Sequence, residues 1–243
     1  MQKKPENIME WLFEDVHLRK EKTDTVMEQK PKSSGLVEKR VSDLKRLLSC
    51  VDSHPIMCCT DLYEHARMSR NGGNRTKQDA LRLKLAVEET VQIQQGKGKT
   101  ITTIGLTEKG YQFLGIQMPK GGKGGILHRM IQRAIYIMLK ILHLNPVIEF
   151  NLAGKLADIG FQLKNQLWAV EVVDNTARFE DSNLIKDFSA GFDHIVFIPK
   201  DAKTRSILEK TLSKAVDETT REKAHIYYIE DFYSFIEEQI EDD

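Results

Sequence analysis

Near its midpoint the chain reads Pro119-Lys120-Gly121-Gly122-Lys123-Gly124-Gly125. No regular element absorbs such a stretch, because proline lacks a donor N–H and glycine loses the most freedom on ordering. Residues 119–125 are therefore a linker that divides the 243 residues into two bodies, each long enough to bury a core. Lys plus Arg and Asp plus Glu both total 36, so no net field draws the protein toward nucleic acid or membrane, and an anionic partner must be met by a local patch. No apolar run reaches the length of a membrane span and the amino terminus is charged from Lys3 onward, which points to a soluble protein that is not secreted. Cys50, Cys58 and Cys59 lack Cys-x-x-Cys spacing and are odd in number. They read as reduced core residues of a cytoplasmic protein.

Residues 1–35 hold a short amphipathic segment, Ile8 to Phe13, and then a polar run that ends at Gly35. This is the composition of a docking segment and its linker, or of a disordered tail. In residues 36–118 the apolar positions Leu36, Val37, Val41, Leu44, Leu47 and Leu48 recur at helical spacing, with Pro55 as the stop. Thr60 can cap a second helix. A third is expected after Arg70-Asn71-Gly72-Gly73, with apolar Ala80, Leu81, Leu83, Leu85 and Ala86 and an outward cationic face of Arg75, Lys77, Gln78, Arg82 and Lys84. Residues 91–94 and 100–104 then alternate like paired strands about the turn Gln95-Gly96-Lys97-Gly98-Lys99. The segment Leu106-Thr107-Glu108-Lys109-Gly110 follows.

Three helices, a hairpin with a basic tip, and that Leu-Thr-x-Lys-Gly segment resemble a winged helix-turn-helix DNA-binding domain over residues 36–116. The resemblance implies a third helix in the major groove of double-stranded DNA and a hairpin wing on the backbone. By residue type, Arg70, Arg75, Lys77, Lys97 and Lys99 suit phosphates, while Asn74 and Gln78 suit base edges. A cationic helix face can equally be solvated surface, and a fold of this kind can serve protein contacts. Gly98-Lys99-Thr100 ends like a phosphate-binding loop, but that motif needs glycine where Ile93 stands. Any ATPase involved is another protein.

The second body opens with a broad apolar helix, 126–144, followed by strand-like runs at 146–150, 157–163 and 167–173. A helix at 182–190 leads into the apolar strand 193–198, most simply set parallel beside 167–173 by a right-handed crossover. A helix at 201–215, a strand at 225–229 and a closing helix at 231–240 complete the order, before an acidic end expected to fray. Glu149, Asp158 and Glu171 are lone carboxylates in these runs, and Asp158 and Glu171 have no basic residue in their own strands. A buried charge needs a partner. Two carboxylates on neighbouring strands suit a hard cation such as Mg²⁺, which takes oxygen ligands and polarises phosphate.

This order, with Glu149, Asp158 and Glu171 where they fall, resembles the restriction-endonuclease-like superfamily with its PD-(D/E)xK signature, a mixed sheet flanked by helices. His128-Arg129, Ala169-Val170-Glu171-Val172, Asn183, Lys186 and Ala190-Gly191-Phe192-Asp193 narrow the likeness to the nuclease-like domain that accompanies HerA- or conjugation-type DNA-translocating ATPases. The resemblance implies a Mg²⁺-dependent DNA endonuclease of a DNA-processing system or mobile element. Asp158 and Glu171 would hold the metal, Glu149 would assist and His128 would approach the scissile phosphate. An ATPase partner and a homodimer, with one site per strand of the duplex, are implied with it. One departure stands out: the signature's lysine falls at Val173. Lys186 from the following helix is the candidate substitute, and Lys164 at the hairpin tip a poorer one. The other readings are a DNA-binding adaptor with an inactive endonuclease-like fold, or a transcription regulator. In these, Asp158 and Glu171 could be structural partners of Lys186 and Arg178, Glu149 a strand-end surface residue and His128 a surface or capping histidine.

Overall fold

A computed structural model describes residues 34–96, 99–119, 124–174, 180–215 and 218–241. The amino-terminal docking segment, Lys97, Arg178 and most of the glycine-rich linker lie outside the described residues. The chain is mixed α/β and splits into two compact units, Met1–Glu89 with Thr102–Lys120, and Thr90–Ile101 with Gly121–Asp243. Among the described residues no helix is long and apolar enough to cross a membrane.

The first unit comprises α1 (Ser34–Ser53), α2 (Cys59–His65), α3 (Arg70–Arg82), the proximal parts of β1 (Ala86–Gln92) and β2 (Thr100–Leu106), and α4 (Glu108–Leu114). The two strands form a small antiparallel sheet. Leu44, Leu47, Leu48, Met57, Leu62, Ala80, Leu85 and Ile104 make one buried cluster. Helix α3 begins at Arg70 rather than after Gly73, because the Ser69 hydroxyl accepts the Gly72 N–H and caps the turn. Gly73 is required inside that turn: a Cβ there would overlap the Tyr63 ring. Lys84, at φ 57°, ends the helical path, so Ala86 begins a strand instead of continuing the helix. Thr60 does not cap α2; Cys58 holds the cap position, without a side-chain bond.

The Leu-Thr-x-Lys-Gly segment is a clasp for the end of α3. The Thr107 hydroxyl donates to the Lys84 carbonyl at 2.7 Å and accepts the Gly110 N–H at 3.1 Å. Lys109 Nζ donates to the Leu83 carbonyl at 2.9 Å, and Thr107 N–H donates to Leu85 at 3.1 Å. Carbonyls left without partners at a helix carboxyl end are thereby satisfied. Gly110 packs so closely on the Leu85 carbonyl that a Cβ would collide with backbone.

The second unit is built on a five-stranded sheet of order β3-β4-β5-β6-β7, from β3 (Val147–Leu152), β4 (Lys155–Leu163), β5 (Gln166–Val173), β6 (His194–Pro199) and β7 (Ala224–Ile226). The first three strands are antiparallel neighbours and the last two add in parallel. Helix α6 (Glu180–Ala190) makes the β5-to-β6 crossover, and α7 (Ala202–Ala215) with α8 (Glu218–Glu222) the next one. Leu184, Leu208 and Leu212 of α6 and α7 join Ala169, Val173, Ile195 and Phe197 in one cluster. Phe161 and Trp168 point to the opposite face, where Phe232 and Phe235 of α9 (Ile229–Glu241) meet them. Helix α5 (Ile126–Ile141) packs against β3, β4, β5 and α9. Two expectations shift: the last strand is the short Ala224–Ile226, and the acidic end is helical as far as Glu241.

The distal half of the first hairpin groups with this second unit. Gln92 N–H donates to Lys200 O at 2.8 Å, Ile93 O accepts the Glu230 N–H at 2.8 Å, and Asp231 Oδ2 accepts the Gln95 N–H at 2.9 Å. Ile93 thus satisfies a free N–H at the start of α9.

Gly110→Ala should destabilise the first unit by about 1–3 kcal/mol, the cost of forcing extra volume into a packed backbone contact, read from urea unfolding. Unchanged stability would mean that the clasp does not depend on this close approach.

Candidate functional site

Strands β4 and β5 pair from Leu163↔Gln166 to Ile159↔Val170. Continued by one step, this register would set Asp158 opposite Glu171, and the charge of Asp158 acts on the Glu171 carboxyl. The ladder stops short of that step, and Asp158 Oδ2 accepts the Val172 N–H at 2.8 Å. Asp158 Oδ1 stands 3.2 Å from His128 Nε2 in the first turn of α5, and Gln132 Nε2 donates to the Asp158 carbonyl at 2.8 Å. Gly124 leaves room for this arrangement, since a Cβ there would overlap the His128 ring. Burial pushes the His128 imidazole down, but the hydrogen bond and charge of Asp158, with Asp174 adding, raise it overall. The imidazole is therefore held as a proton-bearing partner of Asp158.

Glu171 is only 8% exposed, and among the described residues its Oε1 meets no donor other than a proton shared with the Asp187 carboxyl. Burial first, then the charges of Asp158 and Asp187, raise its carboxyl well above the ordinary range. Asp187 of α6 is fully buried, and neither of its oxygens finds a well-formed hydrogen bond. The Lys186 ammonium lies 3.7 Å from Asp187 Oδ1, close enough for attraction but outside hydrogen-bond reach. Glu180, also buried, accepts from Asn183 Nδ2 at 2.7 Å. The result is a group of buried carboxyls beneath α6 that oppose one another's ionisation. No group of three or more His, Cys, Asp or Glu side chains among the described residues is arranged to enclose a metal.

The other candidates are placed differently. Glu149 is exposed and adopts φ 52°, and the β3–β4 pairing steps over it from Ile148↔Ile159 to Phe150↔Ala157. Val173 is fully buried among apolar side chains, so nothing in β5 takes the place of a lysine. Lys186 reaches the Leu156 carbonyl of β4 at 3.4 Å as well as Asp187, and no described contact joins it to Asp158 or Glu171. Lys164 sits in the β4–β5 turn at φ 49°. Asp187, Glu180, Asp174 and Gln132 are the additions that sequence reasoning missed. Glu180, Leu184 and Asp187 share one helix face at i, i+4 and i+7, and Leu184 belongs to the core, so that spacing carried the signal.

On the first unit, α3 presents Arg70, Asn74, Arg75 and Gln78 as exposed residues. Arg70, Arg75 and Gln78 make no hydrogen bond or ion pair with the described residues. Asn74 Oδ1 accepts from the Tyr63 hydroxyl at 3.0 Å, and Lys77 is half-buried in a 3.0 Å pair with Glu88. Lys99 is exposed and belongs to the second unit, where its charge acts on Glu230.

A carboxyl whose folded-state pKa is raised binds its proton more tightly folded than unfolded, so its contribution to stability is lost as pH rises from the ordinary carboxylate range through the elevated one. In metal-free buffer, Glu171→Gln should flatten that decline and leave the protein more stable than wild type at neutral pH, as read from denaturant unfolding at a series of pH values. A variant with the wild-type pH profile would contradict the electrostatic account of Glu171. No family model, curated protein or solved structure matches the chain.

Proposed function

We propose that the chain binds double-stranded DNA through a winged helix-turn-helix and carries a restriction-endonuclease-like domain that hydrolyses a phosphodiester with Mg²⁺ at Asp158 and Glu171. The observation that carries this reading is that Asp158 and Glu171 lie on paired strands, near enough for the charge of Asp158 to raise the Glu171 carboxyl. Supporting it are the helix, three antiparallel strands, crossover helix and parallel strand of the second unit, and the three helices, hairpin and clasp of the first.

A dedicated cage is absent among the described residues, but Mg²⁺ commonly binds through one or two carboxylates and completes its shell with water and substrate phosphate. Asp158 and Glu171 fit that sparse mode, and a cation would relieve the unpaired burial of Glu171. When bound, the ion would polarise the phosphate and acidify a water. His128 and the Val172 N–H fix the Asp158 carboxylate, as a supporting shell must if a ligand is to be oriented. His128 also offers a proton beside Asp158, and Lys186 is the cation that would have to swing in from α6. On the first unit, Arg70 and Arg75 would take backbone phosphates and Gln78 a base edge. A DNA-translocating ATPase and a second copy of the chain remain the partners this reading implies.

The buried Val173 favours a second reading, in which the fold has lost catalysis and serves as a DNA-binding adaptor. Plasmid assays separate the two. With Mg²⁺ or Mn²⁺ the wild-type protein should nick supercoiled DNA, and Asp158→Ala and Glu171→Ala should each lower the rate by at least about 10²-fold, the scale on which a transition-state contact is lost. Equal cleavage by the variants would expose a contaminant, and binding without cleavage would establish the adaptor.

Arg75→Ala should weaken DNA binding similarly across sequences and reduce the salt slope by about 1. Lys77→Ala should do less, since Glu88 already occupies that ammonium. An unaffected Arg75 variant would remove α3 from the interface.

A further inference from the structure

The side of the sheet that carries Trp168 holds a second cluster of chemically capable groups, on other residues than the carboxylates. Trp168 and His194 are cross-strand partners on β5 and β6, their rings stacked with centroids 4.1 Å apart and planes at 15°. His225 on β7 pairs with Val196, two residues beyond His194, so all three side chains share one face. His194 Nδ1 and His225 Nε2 face each other at 3.2 Å. Tyr227 and Phe235 stack against the outer side of His225. Burial pushes both imidazoles down, His225 to about 4, so both are neutral at neutral pH and each has one unprotonated nitrogen. Asp193 beside His194 partly offsets that effect, and Lys223 adds to it.

We propose that His194 and His225 form a two-imidazole seat for a late first-row divalent cation of the Ni²⁺, Cu²⁺ or Zn²⁺ class, with water completing the shell. Imidazole suits these ions, and metal–nitrogen bonds of ~2.0–2.1 Å place two adjacent ligands of one ion ~3 Å apart, the separation found here. Without an ion the same pair shares a hydrogen bond, one ring donating and the other accepting. Entry of the ion moves the bridging proton to the donor ring's other nitrogen, so two neutral rings bind it with no net proton release. The stacked Trp168 and Phe235 hold the rings in place, the role that ordered neighbours play around a metal ligand. The seat shares no ligand with the carboxylate site and stands whether or not that site is catalytic.

Trp168 is a built-in reporter, since a paramagnetic ion held at His194 lies against its indole. Titration of the full chain with NiCl₂ should give saturable quenching of Trp168 emission at one ion per chain, absent in Trp168→Phe. His194→Ala should weaken binding by roughly 10-fold or more, at least the loss that follows removal of a mere supporting group. His225→Gln keeps a hydrogen-bond partner for His194 while removing the ligand, and should lose the ion yet retain wild-type circular dichroism. Asp158→Ala and Glu171→Ala should bind Ni²⁺ as wild type does. Non-saturable quenching, or quenching that survives His225→Gln and disappears in Glu171→Ala, would overturn the proposal.

Discussion

The organising constraint of the second unit is a set of buried carboxyl groups gathered where β4 and β5 part. The β4–β5 register ends at Ile159↔Val170, and just beyond it Asp158 Oδ2 takes the Val172 N–H that the ladder leaves unused. The neighbouring structure serves that contact. Helix α5 supplies His128 and Gln132 to opposite ends of Asp158, and α6 closes over Glu171 with Asp187 and Glu180. Apolar packing alone would not select such an arrangement, because each carboxyl beneath α6 adds to the desolvation cost of the next. An arrangement that costs stability in the absence of a counter-charge is the usual signature of a place kept for binding or chemistry.

The first unit is organised by a different kind of interaction. Thr107 and Lys109 bring together the exit of α3, the end of β2 and the start of α4 through hydrogen bonds to three consecutive carbonyls, at Leu83, Lys84 and Leu85. The orientation of α3, and with it the exposed row of Arg70, Asn74, Arg75 and Gln78, is thereby tied to a segment 20 to 30 residues further along the chain. Lys109 lies in that row's composition but not in its role, since its ammonium is spent on backbone.

The sheet of the second unit is legible in the sequence because its strands are β-branched and aromatic runs separated by short polar turns, and the crossover rule then fixes where β6 must lie. That Asp158 and Glu171 stand on neighbouring strands is legible for the same reason, since hairpin register follows from the turn. Elsewhere the local signal misleads. Gly72-Gly73 reads as a helix breaker, yet the Ser69 cap and the Tyr63 ring draw both glycines into α3. Ala86 reads as helix, but a residue at positive φ two positions earlier redirects the chain. Asp187 is hidden because its spacing means something only once the packed face of α6 is known. Glu149 is visible as a carboxylate, but its backbone conformation is not encoded in any periodicity. The far part of the hairpin reads as a free wing, whereas Gln92, Ile93 and Gln95 leading to its tip are engaged by Lys200, Glu230 and Asp231.

The left-handed backbone at Glu149 also bears on how the border of the sheet is guarded. β3 is an outer strand of the five-stranded sheet, and such a border offers a row of unused donors and acceptors to any other extended chain. With φ at 52° in mid-strand, that row is broken into two short pieces, and a charged, exposed side chain stands at the break. A foreign strand could follow the border for only two or three residues before losing register. The opposite border, β7, is three residues long and is protected by brevity alone. Both margins of the sheet therefore resist the open-ended stacking of copies that leads to fibrils.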